Sequence, residues 1–207
     1  MLVLDLMRRP TRSAIRSVAV YVNELSGGKV TPDMVTTVGV AMHIPIAFLI
    51  GSGHFIWAGI LLIFFGLFDV LDGELARVQK TASTHGMFYD ATTDRVKEVA
   101  LYSGIVYYLS QGASAHWAYL AVIACGASLT VSYAKAKGEA AIALKGKIVD
   151  HHKLNRHFNE GLIPYEVRIS IIIAGLLFHV IIAASAVVAA LGVISIITVM
   201  RNIEKEL

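Results

Sequence analysis

The sequence predicts an all-α integral membrane protein, with six transmembrane helices behind an N-terminal amphipathic helix that lies along the membrane surface. Three observations predict it. Of the 207 residues, 56% are hydrophobic and only 16% charged, and the mean hydropathy is +0.66, a composition that excludes an ordinary soluble domain. Apolar runs of about 20 residues, the length that crosses a bilayer, recur along the chain. With six spans, the connections near Gly51 to Phe55, Gln111 to His116 and His179 to Ala184 share one side and hold no Lys, Arg, Asp or Glu. All 18 basic residues then lie towards the other side, which the positive-inside rule makes cytoplasmic, with both termini and the active site there too.

Each element has its own signal. The opening "MLVLDLMRRPTRSAIRSVAVYV" lacks an apolar core followed by a small-residue cleavage site, so it reads as a surface helix and not as a signal peptide. Arg8, Arg9, Arg12 and Arg16 would face anionic headgroups. In "TPDMVT", Thr31 reads as a helix cap with Pro32 at the first helical position. Spans follow near 34–53, 55–79, 86–110 and 115–140, and the apolar stretch from Ile169 to Met200 is long enough to divide into two near His179. Residues 1–30 thus form an amphipathic segment and 31–207 a six-helix bundle, within one domain of residues 1–207 that shows no internal repeat. Cys125, the one cysteine, lies in an apolar run and acts as a small hydrophobe; no disulfide framework is possible. His151, His152 and His157, in the basic loop "KGKIVDHHKLNRHFNEG", lack a fourth ligand at the usual zinc spacing, so the loop reads as solvated and close to lipid headgroups.

The polar residues inside the spans carry the chemistry. Helical spacing places Asp69, Asp72, Ala76 and Arg77 on one face of the second span, with Gly73 beside them, and Gly86, Asp90 and Asp94 on one face of the third. The short turn "KTAST" makes these helices antiparallel neighbours, so four carboxylates converge near the cytoplasmic end. Like charges and desolvation both oppose ionisation of such a cluster. Divalent cations resolve the conflict: hard oxygen ligands suit Mg²⁺, Mn²⁺ or Ca²⁺, and paired ions recur in phosphoryl chemistry. A network of the aspartates with Arg77, Arg95 and Lys97 that only ties helix ends together is the structural alternative. A cation or proton transporter is the functional one; it predicts repeated halves or acids spread through the bilayer, whereas here they gather at one end beside Gly73 and Arg77.

The stretch "DVLDGELARVQKTASTHGMFYDATTD" fits D-x2-D-G-x2-A-R-x8-G-x3-D-x3-D at all eight fixed positions, and on that ground the chain resembles the CDP-alcohol phosphotransferases. The resemblance implies an enzyme of phospholipid biosynthesis that transfers a phosphatidyl group from CDP-diacylglycerol or a related CDP-lipid to an acceptor hydroxyl, releasing CMP. It implies two divalent cations, Mg²⁺ or Mn²⁺, held by Asp69, Asp72, Asp90 and Asp94, with Asp94 also the general base. Gly73 would let the cytidine approach the backbone and Arg77 would hold a phosphate. Asp33, Thr36, Ala76, Ser83 and Gly86 would complete the donor site. Nothing in the signature presents an activated nucleophile, so direct attack in a sequential mechanism is expected. A homodimer in the cell membrane is implied as well, with no nucleic-acid partner.

For the acceptor, "SYAKAKGEA" at 132–140 resembles a run in the actinobacterial phosphatidylinositol phosphate synthases. Ser132, Lys135, Arg168 and Arg201 would form a cationic pocket for a phosphorylated polyol, inositol phosphate first. Those synthases tend to carry R-P-E-R where this chain has "YEVR", with Tyr165 in place of the first arginine. Glycerol 3-phosphate therefore stays open as an acceptor.

Overall fold

The structure, a computed structural model, describes residues 2–144 and 165–206. Among these residues every regular element is a helix: α1 (Leu2–Ser26), α2 (Pro32–Gly51), α3 (Phe55–Gly66), α4 (Phe68–Gln79), α5 (Thr84–Ser110), a 3₁₀ turn (Ala115–Trp117), α6 (Ala118–Leu144), α7 (Tyr165–Leu177) and α8 (Ile181–Glu206). The histidine-bearing loop and the side chains of Arg8, Arg9 and Arg12 lie outside what is described.

Among the described residues, four helical stretches are long and apolar enough to cross a membrane: Pro32–Gly51, Phe55–Gln79, Ala115–Leu144 and Ile181–Lys205. The protein is accordingly a multi-pass membrane protein. Of the other two expected spans, α5 carries Asp90, Asp94, Arg95, Lys97 and Glu98 in its first half, and α7 has 13 residues. Large apolar side chains such as Phe48, Ile44, Trp57 and Phe178 point outward and are mostly exposed, as lipid-facing side chains do.

Three boundaries show how local chemistry sets the frame. Thr31 caps α2, its hydroxyl accepting from the Met34 N–H at 3.2 Å, with Pro32 at the first helical position as the sequence suggests. The expected single helix over 55–79 breaks at Leu67. There the Leu67 N–H reaches Phe64 O at 3.2 Å and the Val70 N–H reaches Leu67 O at 3.2 Å, tighter three-residue bonds that interrupt the α-helical pattern just before Asp69. The split near His179 falls as expected: this residue takes φ 58°, and the following Val180 N–H closes onto Gly175 O at 2.8 Å, a left-handed helix end.

The core runs through the apolar half of the bundle, where Ile46, Ile50, Phe55, Leu62, Leu101, Ile105, Leu109, Ala121, Ala124, Ile172 and Leu176 are buried together. The pair α2 and α5 packs especially closely, because at Gly104 a Cβ would run into the backbone of Ala47. Pairing of α6 with α8, of α3 with α7 and of α1 with α4 closes the bundle. Beneath α1, Ala19 of that helix, Val35 of α2 and Leu75 of α4 make a second, small core. Its effect is to hold the first turns of α2 and the whole of α4 side by side at the polar end.

Candidate active site

At that end α2, α4 and the start of α5 enclose a cavity of about 530 Å³. Its wall on α4 comprises Asp69, Asp72, Gly73, Ala76 and Arg77, one face of a helix, as the three- and four-residue spacing requires. Thr31, Asp33 and Thr36 of α2 face them, and Ser83, Gly86, Met87 and Asp90 close the third side. All seven residues expected at a donor site, Asp33, Thr36, Gly73, Ala76, Arg77, Ser83 and Gly86, border this one space.

Several of these side chains are fixed by hydrogen bonds. The Thr36 hydroxyl donates to Asp72 Oδ2 at 2.5 Å in a buried contact. Ser83 caps α5, its hydroxyl accepting from the Gly86 N–H at 3.1 Å. Arg77 reaches Glu74 at 2.6 Å, one turn back on its own helix, while its side chain stays half-exposed at the cavity. A Cβ added at Gly73 would meet only Arg77 Nη1, at 3.9 Å. The room that the missing side chain leaves belongs to the cavity and not to a neighbouring helix.

Asp94 stands one turn further along α5 than Asp90 and does not border the cavity. It is tied to Lys97, whose Nζ lies 3.1 Å from Asp94 Oδ1 and 2.5 Å from Asp69 Oδ1. Lys97 is only 1% exposed. Its ammonium therefore bridges α4 and α5 from inside the cluster.

The donor chemistry fits a divalent cation, since two of the four carboxylates, Asp69 of α4 and Asp94 of α5, already gather one cation, the lysine. Among the described residues, however, no three such side chains stand ready as a ligand set: Lys97 takes Asp69 and Asp94, and Thr36 takes Asp72. Part of the network weighed against a metal centre is thus present, through Lys97 and Arg95, while Arg77 pairs with Glu74 instead.

The expected acceptor set is not gathered in the cavity; none of Ser132, Lys135, Arg168 and Arg201 borders it. Two of the four meet elsewhere, around a buried carboxylate that the sequence reading passed over. Glu98, 3% exposed, accepts from Ser128 Oγ at 2.5 Å and from Arg95 Nη1 at 2.9 Å. Arg168 Nη2 lies 3.8 Å from the same carboxylate, Arg95 also donates to Ser132, and the Arg95 guanidinium sits 5.4 Å above the centre of the Tyr165 ring. Lys135 is half-buried and Arg201 exposed. The available signal for Glu98 was its place one turn beyond Asp94, with Ser128 and Ser132 one turn apart on α6.

Comparison with known proteins gives a consistent result. Residues 29–200 match the family described as CDP-alcohol phosphatidyltransferase. The phosphatidylinositol phosphate synthase of Corynebacterium glutamicum is 35% identical over 147 residues, covering 69% of this chain and 66% of the relative. The synthase of the same name from Mycobacteroides abscessus is 33% identical over 150 residues, covering 72% and 62%. The matched stretches thus fall just short of two thirds of those relatives' own length. Among solved structures, the phosphatidylinositol phosphate synthase of Mycobacterium tuberculosis with CDP-DAG bound superposes with a TM-score of 0.78 at 22% identity, over 91% of this chain and 92% of the other. The same enzyme in complex with manganese and citrate gives 0.78 at 23% identity, over 92% and 88%. These likenesses establish the fold.

Proposed function

The chain belongs to the CDP-alcohol phosphatidyltransferase family, and from that premise we propose that it transfers a phosphatidyl group from CDP-diacylglycerol to a hydroxyl of inositol phosphate, releasing CMP. The observation that carries this reading is the single cavity bordered by all seven donor-site residues together with Asp69, Asp72 and Asp90. The inositol phosphate acceptor rests on the relatives, which are named phosphatidylinositol phosphate synthases.

In this reading the diphosphate of the CDP-lipid lies against the Asp69–Arg77 face of α4. The cytidine uses the space left by Gly73, whose missing Cβ no other helix fills. Arg77 leaves Glu74 to donate to a phosphate, a stronger acceptor for its planar fork. Asp33, Thr36, Ala76, Ser83 and Gly86 border the nucleotide. Two divalent cations, Mg²⁺ or Mn²⁺, held by Asp69, Asp72, Asp90 and Asp94, would neutralise the diphosphate and the charge growing on the leaving group. Asp94 takes the proton of the acceptor hydroxyl. The hydroxyl oxygen bonds to the phosphorus that carries diacylglycerol, the bond from that phosphorus to the bridging oxygen breaks, and CMP departs with the electron pair.

Ser132 and Arg168 serve the acceptor from the Glu98 cluster, beside Tyr165 and Arg95, with Lys135 and Arg201 reaching the phosphate from α6 and α8. The layout is one domain over residues 1–207, residues 1–30 on the surface and 31–207 spanning six times, with α5 and α7 completing the set. Both termini and the cavity face the cytoplasm, the chain pairs as a homodimer, and the 145–163 loop lies near headgroups.

The test is direct. Purified protein is incubated with CDP-diacylglycerol and Mg²⁺ or Mn²⁺, and CMP release is followed with inositol phosphate, glycerol 3-phosphate, inositol and serine as acceptors. Release with inositol phosphate well above the others is expected. Preference for glycerol 3-phosphate would move the assignment within the family, and no release with any acceptor would remove it.

A further inference from the structure

Among the described residues, Lys97 is the largest side chain with almost no solvent exposure, at 1%. It has no part in the reaction proposed above. An ammonium withdrawn from water needs opposite charge around it, and this one finds it on two helices at once: Asp69 of α4 at 2.5 Å and Asp94 of α5 at 3.1 Å. Those are two of the four carboxylates assigned to the divalent cations, so the lysine and a metal ion claim the same oxygens. A metal bonded to them would sit at about 2.0–2.1 Å for Mg²⁺, leaving the ammonium as a like charge in contact with the ion.

We infer that Lys97 is an internal counter-cation of the aspartate cluster. Its ammonium holds α4 to α5 while no divalent ion is bound and withdraws from the Asp69 and Asp94 carboxylates when one enters, so the lysine sets how tightly the ion is held. The inference rests on the reading of the aspartates as metal ligands. It assigns to one residue two opposed effects, stabilising the metal-free protein and weakening the metal complex. Without the lysine, Asp69 and Asp94 would repel one another whenever the ion left. With it, the cluster stays neutralised and the ion binds by exchange.

The experiment uses Mn²⁺ alone on detergent-purified protein stripped with EDTA, with free Mn²⁺ read by electron paramagnetic resonance. Lys97→Met keeps an unbranched side chain one atom shorter and removes the charge, and is expected to bind Mn²⁺ about tenfold or more tighter than wild type, the effect of taking away an adjacent like charge. Its Tm in EDTA should fall, and the rise in Tm on adding Mn²⁺ should exceed that of wild type. Binding of Lys97→Met equal to or weaker than wild type overturns the inference. Asp90→Asn, which leaves both lysine contacts in place, separates the two levels: unchanged Mn²⁺ affinity in this variant overturns the metal reading itself. Wild-type protein gives a measurement that needs no lysine variant. Acetylation of Lys97, followed by mass spectrometry, should be slow in EDTA and accelerate with saturating Mn²⁺; equal protection in both conditions overturns the withdrawal.

Discussion

Asp94→Asn keeps the size and polarity of the side chain and deletes the proposed proton acceptor, so CMP release should drop by about 10² to 10⁴-fold, the usual contribution of a general base. Binding of the CDP-lipid, measured as protection against heat, should survive. Glu98→Gln probes a different failure. It removes the carboxylate that Arg95, Ser128 and Arg168 share, and breaking a buried ion pair from one side costs about 3–5 kcal/mol. The Tm of the purified variant should fall markedly with or without metal, whereas a purely catalytic residue would leave it unchanged. These two residues, one turn apart on α5, also mark how far a sequence can be read. The aspartates were legible because helical periodicity alone puts them on common faces. The Glu98 network was not, since it joins α5, α6 and α7, and periodicity says which face a residue occupies but not which helix will cover it. Ser132 and Arg168 could be named from the family resemblance, but not their meeting through Arg95 and Glu98.

Helix ends followed side-chain chemistry where that chemistry was local. The Thr31 cap and Pro32 mark the start of α2 as the sequence suggests. The break at Leu67 had no such mark, for its neighbours Phe65, Gly66 and Phe68 read as ordinary membrane-helix residues, while Pro45, a residue that breaks helices elsewhere, lies inside an unbroken α2. The helix pair α2 and α5 offers a test with an internal control. Gly104→Ala drives a methyl group into the backbone of Ala47, whereas Gly126 has nothing within 4 Å of the position its Cβ would take. The first substitution should lower the Tm, because close-packed backbones cannot move apart without disturbing the core. The second should be neutral or stabilise by up to about 1 kcal/mol, as alanine favours a helix interior over glycine. Equal effects at both sites would mean that α2 and α5 are less tightly packed than Gly104 indicates.

For the whole molecule, the one-sided distribution of charge predicts that cysteines placed at Ser26 and Glu206 in a Cys125→Ala background are labelled from the cytoplasmic side alone, and one at Gly112 from the opposite side alone. Labelling of Gly112 and Glu206 from the same side would reject six spans. Multi-pass architecture was plain from composition, but the number of passes was not equally plain for every helix. Apolarity identifies α2, α3 with α4, α6 and α8 without help. The reading of α5 as a span instead weighs its apolar second half against five charged residues in the first, Asp90, Asp94, Arg95, Lys97 and Glu98. That charge has a consequence for biogenesis. A single acidic or basic residue at the centre of a membrane helix costs about 2.5 to 3.5 kcal/mol on insertion, so α5 as a lone segment is a poor candidate for release from the translocon into lipid. The partner that neutralises it is upstream: Asp69, on the α4 half of the preceding span, meets Lys97 at 2.5 Å. On the six-span layout the preceding span and α5 are therefore expected to enter the bilayer together as a hairpin, joined by the ion pair of Asp69 with Lys97.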